Sequence, residues 1–107
     1  MKKSQKRHLR ELAKRCYEIE MSMALQNLDE NFKRWKNKEI SPWELNDKIH
    51  EHHNGTARDL YRFYELSSDA RVVVSRAVLK GIIKIEEVQE DCRPFLDRFL
   101  EAMVDIK

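Results

Sequence analysis

The sequence predicts an all-α domain, a bundle of four or five helices with a long N-terminal helix. Three observations predict it. Only 2 Gly and 2 Pro occur in 107 residues, too few for the many turns of a β-sandwich or barrel. Apolar residues recur at spacings of three and four, the period of a helix face. Strong helix formers fill the stretches between a few clear cap signals. A length of 107 residues suits one domain, and 41% hydrophobic residues with a net charge of only +2 argue against disorder. No apolar run approaches the ~18 residues of a membrane span, and no apolar segment follows the basic start as it would in a secretory signal. A cytoplasmic protein without membrane contact is therefore expected.

The first helix is expected over 4–37, with Ser4 as its N-cap. At about 1.5 Å per residue it would be roughly 50 Å long. It carries two apolar stripes. One reads Ala13, Tyr17, Met21, Ala24, Leu25, Leu28, Phe32, Trp35; the other reads Leu9, Leu12, Cys16, Ile19, Met23. At about 100° per residue they lie on nearly opposite sides of the cylinder. One face packs on the domain, and the other needs a cover from this chain, a second copy or a foreign partner.

Ser41-Pro42-Trp43-Glu44 predicts the next start, a helix over 41–66. Ser41 suits the cap, Pro42 the first helical position, and Glu44 closes a capping box, with Ile40 and Leu45 placed to staple it. Ile49, His53, Thr56 and Leu60 keep a helical phase, so the helix is expected to run through Asn54-Gly55, where Gly55 would admit a neighbouring helix or a ligand. Ser67-Ser68-Asp69 forms the following cap cluster, opening a central helix over 69–80 that Gly81 ends. A C-terminal helical segment is expected over 86–104, its last helix starting near Asp91 with Pro94 in the first turn and burying Phe95, Leu96, Phe99, Leu100, Met103 and Val104. Cys16 and Cys92 lie far apart in different helices and are expected as free, buried thiols.

Three groups of residues are candidates for function. Leu9, Leu12, Cys16, Ile19 and Met23 form the surplus apolar stripe, a candidate interface with a second copy or a protein partner. Asp47, His50, His53, Asn54, Arg58 and Tyr61 form a polar ridge on the second helix, an alternative ligand, metal or acid–base site, with His52 facing solvent. His50-Glu51 lacks the second His of a His-Glu-x-x-His site, because Asn54 stands there, so no metal and no cofactor is assigned. Third, residues 1–15 hold seven Lys and Arg against Glu11, a local charge of +6, while the remaining 92 residues sum to −4. Lys3, Lys6, Arg7, Arg10 and Lys14 run roughly along one side of the first helix and could contact nucleic-acid phosphates, although no aromatic residues interleave with them.

Ile40-Ser41-Pro42-x-Glu44-Leu45, Ile49-His50-x-x-His53 and Gly55-x-x-Arg58-x-Leu60-Tyr61 together resemble a segment found in a family of small bacterial helical proteins that share this length and a long first helix. The resemblance covers about a fifth of the chain. It implies a small bacterial cytoplasmic helical protein, and it transfers no role to His50, His53 or Arg58. The favoured expectation is a non-enzymatic interaction module that self-associates or binds a protein through the Leu9–Met23 stripe. The alternatives are the His50/His53/Arg58 ridge and nucleic-acid binding by the basic N-terminus.

Overall fold

Lys3–Lys36 form one uninterrupted helix, α1, in the computed structural model, which describes residues 1–66 and 69–104. Its start lies ahead of the expected cap. The Lys2 N–H donates to Gln5 Oε1 at 2.8 Å, and Ser4 is already inside the helix. Its end is a Schellman turn: Glu39 N–H reaches back to Arg34 O at 2.8 Å and Lys38 N–H to Trp35 O at 3.0 Å. That turn holds Lys38 at φ 61°, a left-handed conformation usually left to glycine.

The chain then returns along α1. Ser41 Oγ accepts Glu44 N–H at 3.1 Å and Glu44 Oε1 accepts Ser41 N–H at 3.4 Å, so the expected capping box forms, with Ile40 and Leu45 both buried. From there one helical path runs unbroken to residue 66 in alternating pitch. It comprises α2 (Pro42–Glu51), a π segment (His52–Ala57), α3 (Arg58–Tyr61) and a second π segment (Arg62–Leu66). The helix does pass through Asn54-Gly55, but in wide turns that hold more than 3.6 residues each. The inward face therefore shifts. His52 and Ala57, five apart, turn partly inward, while His53 and Thr56, which α-helical phase would point inward, are exposed. A Cβ placed on Gly55 would meet nothing within 4 Å, so the close approach expected there is absent among the described residues.

Of the expected cap cluster, Ser67 and Ser68 lie outside the described residues. Asp69 caps α4 (Ala70–Lys80), its Oδ1 accepting Arg71 N–H at 2.9 Å. Gly81, at φ 75°, ends α4 in a second Schellman turn, with Ile82 N–H to Ala77 O at 2.9 Å and Gly81 N–H to Val78 O at 3.1 Å. Two 3₁₀ segments follow, Ile85–Glu87 and Glu90–Phe95, then α5 (Asp97–Val104). The last α-helix thus begins at Asp97 rather than near Asp91. Pro94 has no N–H and its ring opposes α-helical bonding, so this stretch closes with three-residue bonds such as Leu96 N–H to Arg93 O at 3.0 Å. Leu96 is buried as expected, whereas Val104 is exposed.

These turns carry a prediction of opposite signs. No heavy atom lies within 4 Å of a Cβ built on Gly81, so Gly81→Ala costs only backbone strain, about 1 kcal/mol in a denaturant titration. Lys38→Gly should stabilise by up to about 1 kcal/mol, because it relieves the same strain at the other turn.

Both apolar stripes of α1 are covered by this chain over their N-terminal parts, while Met23 of one and Leu25 and Trp35 of the other are exposed. Leu9, Leu12 and Cys16 join Val73, Val74 and Ala77 of α4 and Val88, Cys92 and Leu96 in the core. On the other side, Tyr17 stacks on Tyr64 with ring centroids 4.7 Å apart and planes within 4°. The 3₁₀ segments run back along the first half of α1: Arg15 pairs with Glu87 at 2.9 Å, Gln89 N–H donates to His8 Nε2 at 3.0 Å, and Gln5 Nε2 donates to Asp91 Oδ2 at 3.1 Å. Towards its C-terminal end α1 has the α2 limb beside it. The molecule measures 53 × 28 × 25 Å, so α1, at about 1.5 Å per residue, spans its long axis and ends in a two-helix arm. No helix among the described residues is long and apolar enough to cross a membrane.

Candidate functional site

Where α1, the second π segment and α4 meet, three polar side chains share a half-buried junction. Arg76 Nη1 and the Tyr64 hydroxyl both donate to Glu20 Oε1, and Arg76 Nη2 reaches Glu20 Oε2 at 3.5 Å. The Arg76 guanidinium also lies over the Phe63 ring, 4.4 Å from its centroid. Burial alone would raise the Glu20 pKa, but the hydrogen bonds from Arg76 and Tyr64 outweigh it and hold the carboxyl below its ordinary range. Burial, then the hydrogen bond to Glu20, pushes the Tyr64 phenol above its ordinary value. Burial, with Glu20 and Glu87 nearby, pushes the Cys16 thiol up to about 11. A protonated thiol and phenol are poor nucleophiles and bases at neutral pH, and the carboxylate already has two donors. The junction is built to clamp helices. Residue spacing gave no sign of it, since Glu20 lies 44 residues from Tyr64 and 56 from Arg76.

Beside the junction is an open cleft of about 490 Å³, with α1 on one side and Tyr64, Glu65, Asp69, Ala70 and Arg71 on the other. Leu9, Ala13, Tyr17, Tyr64 and Ala70 give it an apolar lining. Lys6, Arg10 and Lys14, four apart on α1, line it with exposed cationic side chains, and none has an ion-pair partner among the described residues. On the far side Asp69 and Arg71 neutralise each other at 2.6 Å, which leaves Glu65 as the acid of the lining without an ion-pair partner among the described residues. The cleft is therefore net positive, with its cations on one wall.

The three sequence-derived groups fare differently. Leu9, Leu12 and Cys16 are 1%, 6% and 0% exposed, so they form core rather than a partner interface. They are buried because α4 and the 3₁₀ return cover that stripe. Of the five, Ile19 is half-buried and only Met23 is exposed. Asp47, His50, His53, Asn54, Arg58 and Tyr61 are all exposed, and the π segment at His52–Ala57 breaks the four-residue repeat that would align the first of them with the last. His50, His53 and Arg58 make no hydrogen bond or ion pair among the described residues, and no group of three or more His, Cys, Asp or Glu there could hold a metal ion. His52, expected to face solvent, instead lines a polar groove with Lys48, Glu51 and Asn31.

Lys3, Lys6, Arg7, Arg10 and Lys14 sit as expected, exposed on one rigid helix. What the sequence did not show is that Tyr17 and Tyr64 line the same cleft as three of them. Comparison with protein families, with curated proteins and with solved structures returned no match.

Proposed function

We propose that this chain is a non-enzymatic binding module that holds the phosphate backbone of a nucleic acid on the basic face of α1. The observation that carries the reading is the set Lys3, Lys6, Arg7, Arg10 and Lys14. All five are exposed on residues 3–14 of one helix, and none has an ion-pair partner among the described residues. The opposite face of that helix is anchored in the core by Leu9, Leu12 and Cys16, so the backbone positions that carry the cations form a fixed row. Cations clustered on one helix face without ion-pair partners favour a polyanionic partner. The His50/His53/Arg58 ridge has no comparable support, because the π segment at His52–Ala57 breaks the repeat that would align its members and no group of three or more His, Cys, Asp or Glu among the described residues could hold a metal ion.

Phosphate binding has a quantitative signature. With five contacts, log K should fall against log salt with a slope of about −3.5 for a single strand or about −4.5 for a duplex. Fluorescence anisotropy of a labelled oligonucleotide across a salt series measures it. Replacing Lys6, Arg10 and Lys14 together with Gln should flatten the slope by about 2 to 3. Binding that ignores salt, or that survives this triple substitution unchanged, would overturn the reading.

A further inference from the structure

Two tyrosines and three cations without ion-pair partners among the described residues share one cleft. Resting on the phosphate-binding reading, we infer that the nucleic acid is single-stranded, and that the cleft takes an unstacked base against Tyr17 while Lys6, Arg10 and Lys14 hold the adjoining phosphates. Bases are flat, apolar on their faces and polar at their edges, and a site for one needs an aromatic surface within a nucleotide's reach of cations. Tyr17 meets that need. It is half-buried, its ring is set by stacking on Tyr64 at 4.7 Å, and it lines the cleft. Tyr64 is in turn fixed by its hydrogen bond to Glu20, so the platform is ordered before any ligand arrives.

The charge layout agrees. The cationic wall belongs to α1, while Glu65, the acid of the lining without an ion-pair partner among the described residues, comes from the opposite side. A bound strand would thus keep its phosphates on α1 and present the edge of its base across the cleft. A cavity of about 490 Å³ lies within the size range of small-ligand pockets, whereas duplex bases are paired, stacked and unable to enter.

The test compares three probes at one salt concentration: a single-stranded oligonucleotide, the duplex of the same sequence, and inorganic polyphosphate. The single strand should bind most tightly. Tyr17→Leu should weaken it by about tenfold, a loss typical of one stacked base, and leave duplex binding, polyphosphate binding and the salt slope unchanged. Tyr17→Phe keeps the ring and should restore affinity. Thermal melts establish that Tyr17→Leu folds. Should it not, wild-type methyl NMR decides, because the Ala70 methyl, on the wall away from the cations, should shift with the single strand and stay still with polyphosphate. Equal binding of all three probes, or a still Ala70 methyl with the single strand, would overturn base insertion while the phosphate reading stands. Absence of binding to every probe would overturn both.

Discussion

Glu20→Gln is expected to lower folding stability by about 2–3 kcal/mol near neutral pH. The replacement keeps the shape of the side chain and removes its charge. Arg76 then stays at the junction without its counter-ion, with only 23% of its side chain exposed to recover solvation. Removing one partner of a fully buried pair costs more than this, and the residual exposure of Glu20 and Arg76, 15% and 23%, reduces the figure. The pH dependence has a definite sign. Glu20 titrates below its ordinary value when folded, so its contribution is complete above the unfolded carboxyl pKa and disappears as pH falls through the lower folded value. Urea titrations of wild type and Glu20→Gln should therefore differ near neutrality and converge in acid. A gap that persists in strong acid would show that the charge is not what holds the junction. Tyr64→Phe, which removes one hydroxyl, should cost only about 1 kcal/mol.

Leu12→Glu is expected to unfold the protein, whereas Met23→Glu should change stability by no more than about 0.5 kcal/mol. Both residues lie on the same stripe of α1, and by helical phase alone both belong to one apolar face. Leu12 is 6% exposed beneath α4 and the 3₁₀ return, and Met23 is 58% exposed beyond them. A carboxylate at Leu12 would be buried without a partner, at a cost of more than about 4 kcal/mol, close to the whole stability of a domain this size. Circular dichroism melts check the pair. If Leu12→Glu melted like wild type, the burial of that face would be wrong and the interface reading of the stripe would return.

The two halves of that stripe show where sequence reasoning ends. Periodicity identifies faces, but which face is covered, and how far along the helix, depends on where α4 stops. Signals confined to a few residues were fully legible: the Ser41–Glu44 box, the Asp69 cap and the Gly81 turn are each closed by bonds within five residues. Asn54-Gly55 announced an irregularity without its kind, because breaker residues mark a disturbance and say nothing of turn width. That is why His52 and His53 exchange their expected sides. The basic row on α1 was legible because it is local to one helix. Its aromatic neighbours were legible only in part: Tyr17 follows Arg10 by seven residues and Lys14 by three, on the same side of α1, whereas Tyr64 reaches the cleft from 47 residues further along the chain. The Glu20, Tyr64 and Arg76 junction had no sequence signature at all, since each residue taken singly is an ordinary helix residue.

The two-helix arm has an optical consequence. Trp35 and Trp43, the chain's 2 tryptophans, close α1 and open α2, so both chromophores sit at the arm tip, far from the core. Cys16 and Cys92, the 2 thiols, are fully enclosed in the body at the other end. Indole emission therefore reads the tip alone and thiol labelling reads the body alone. The native chain carries its own pair of reporters for whether the arm frays independently or melts together with the rest as one cooperative unit.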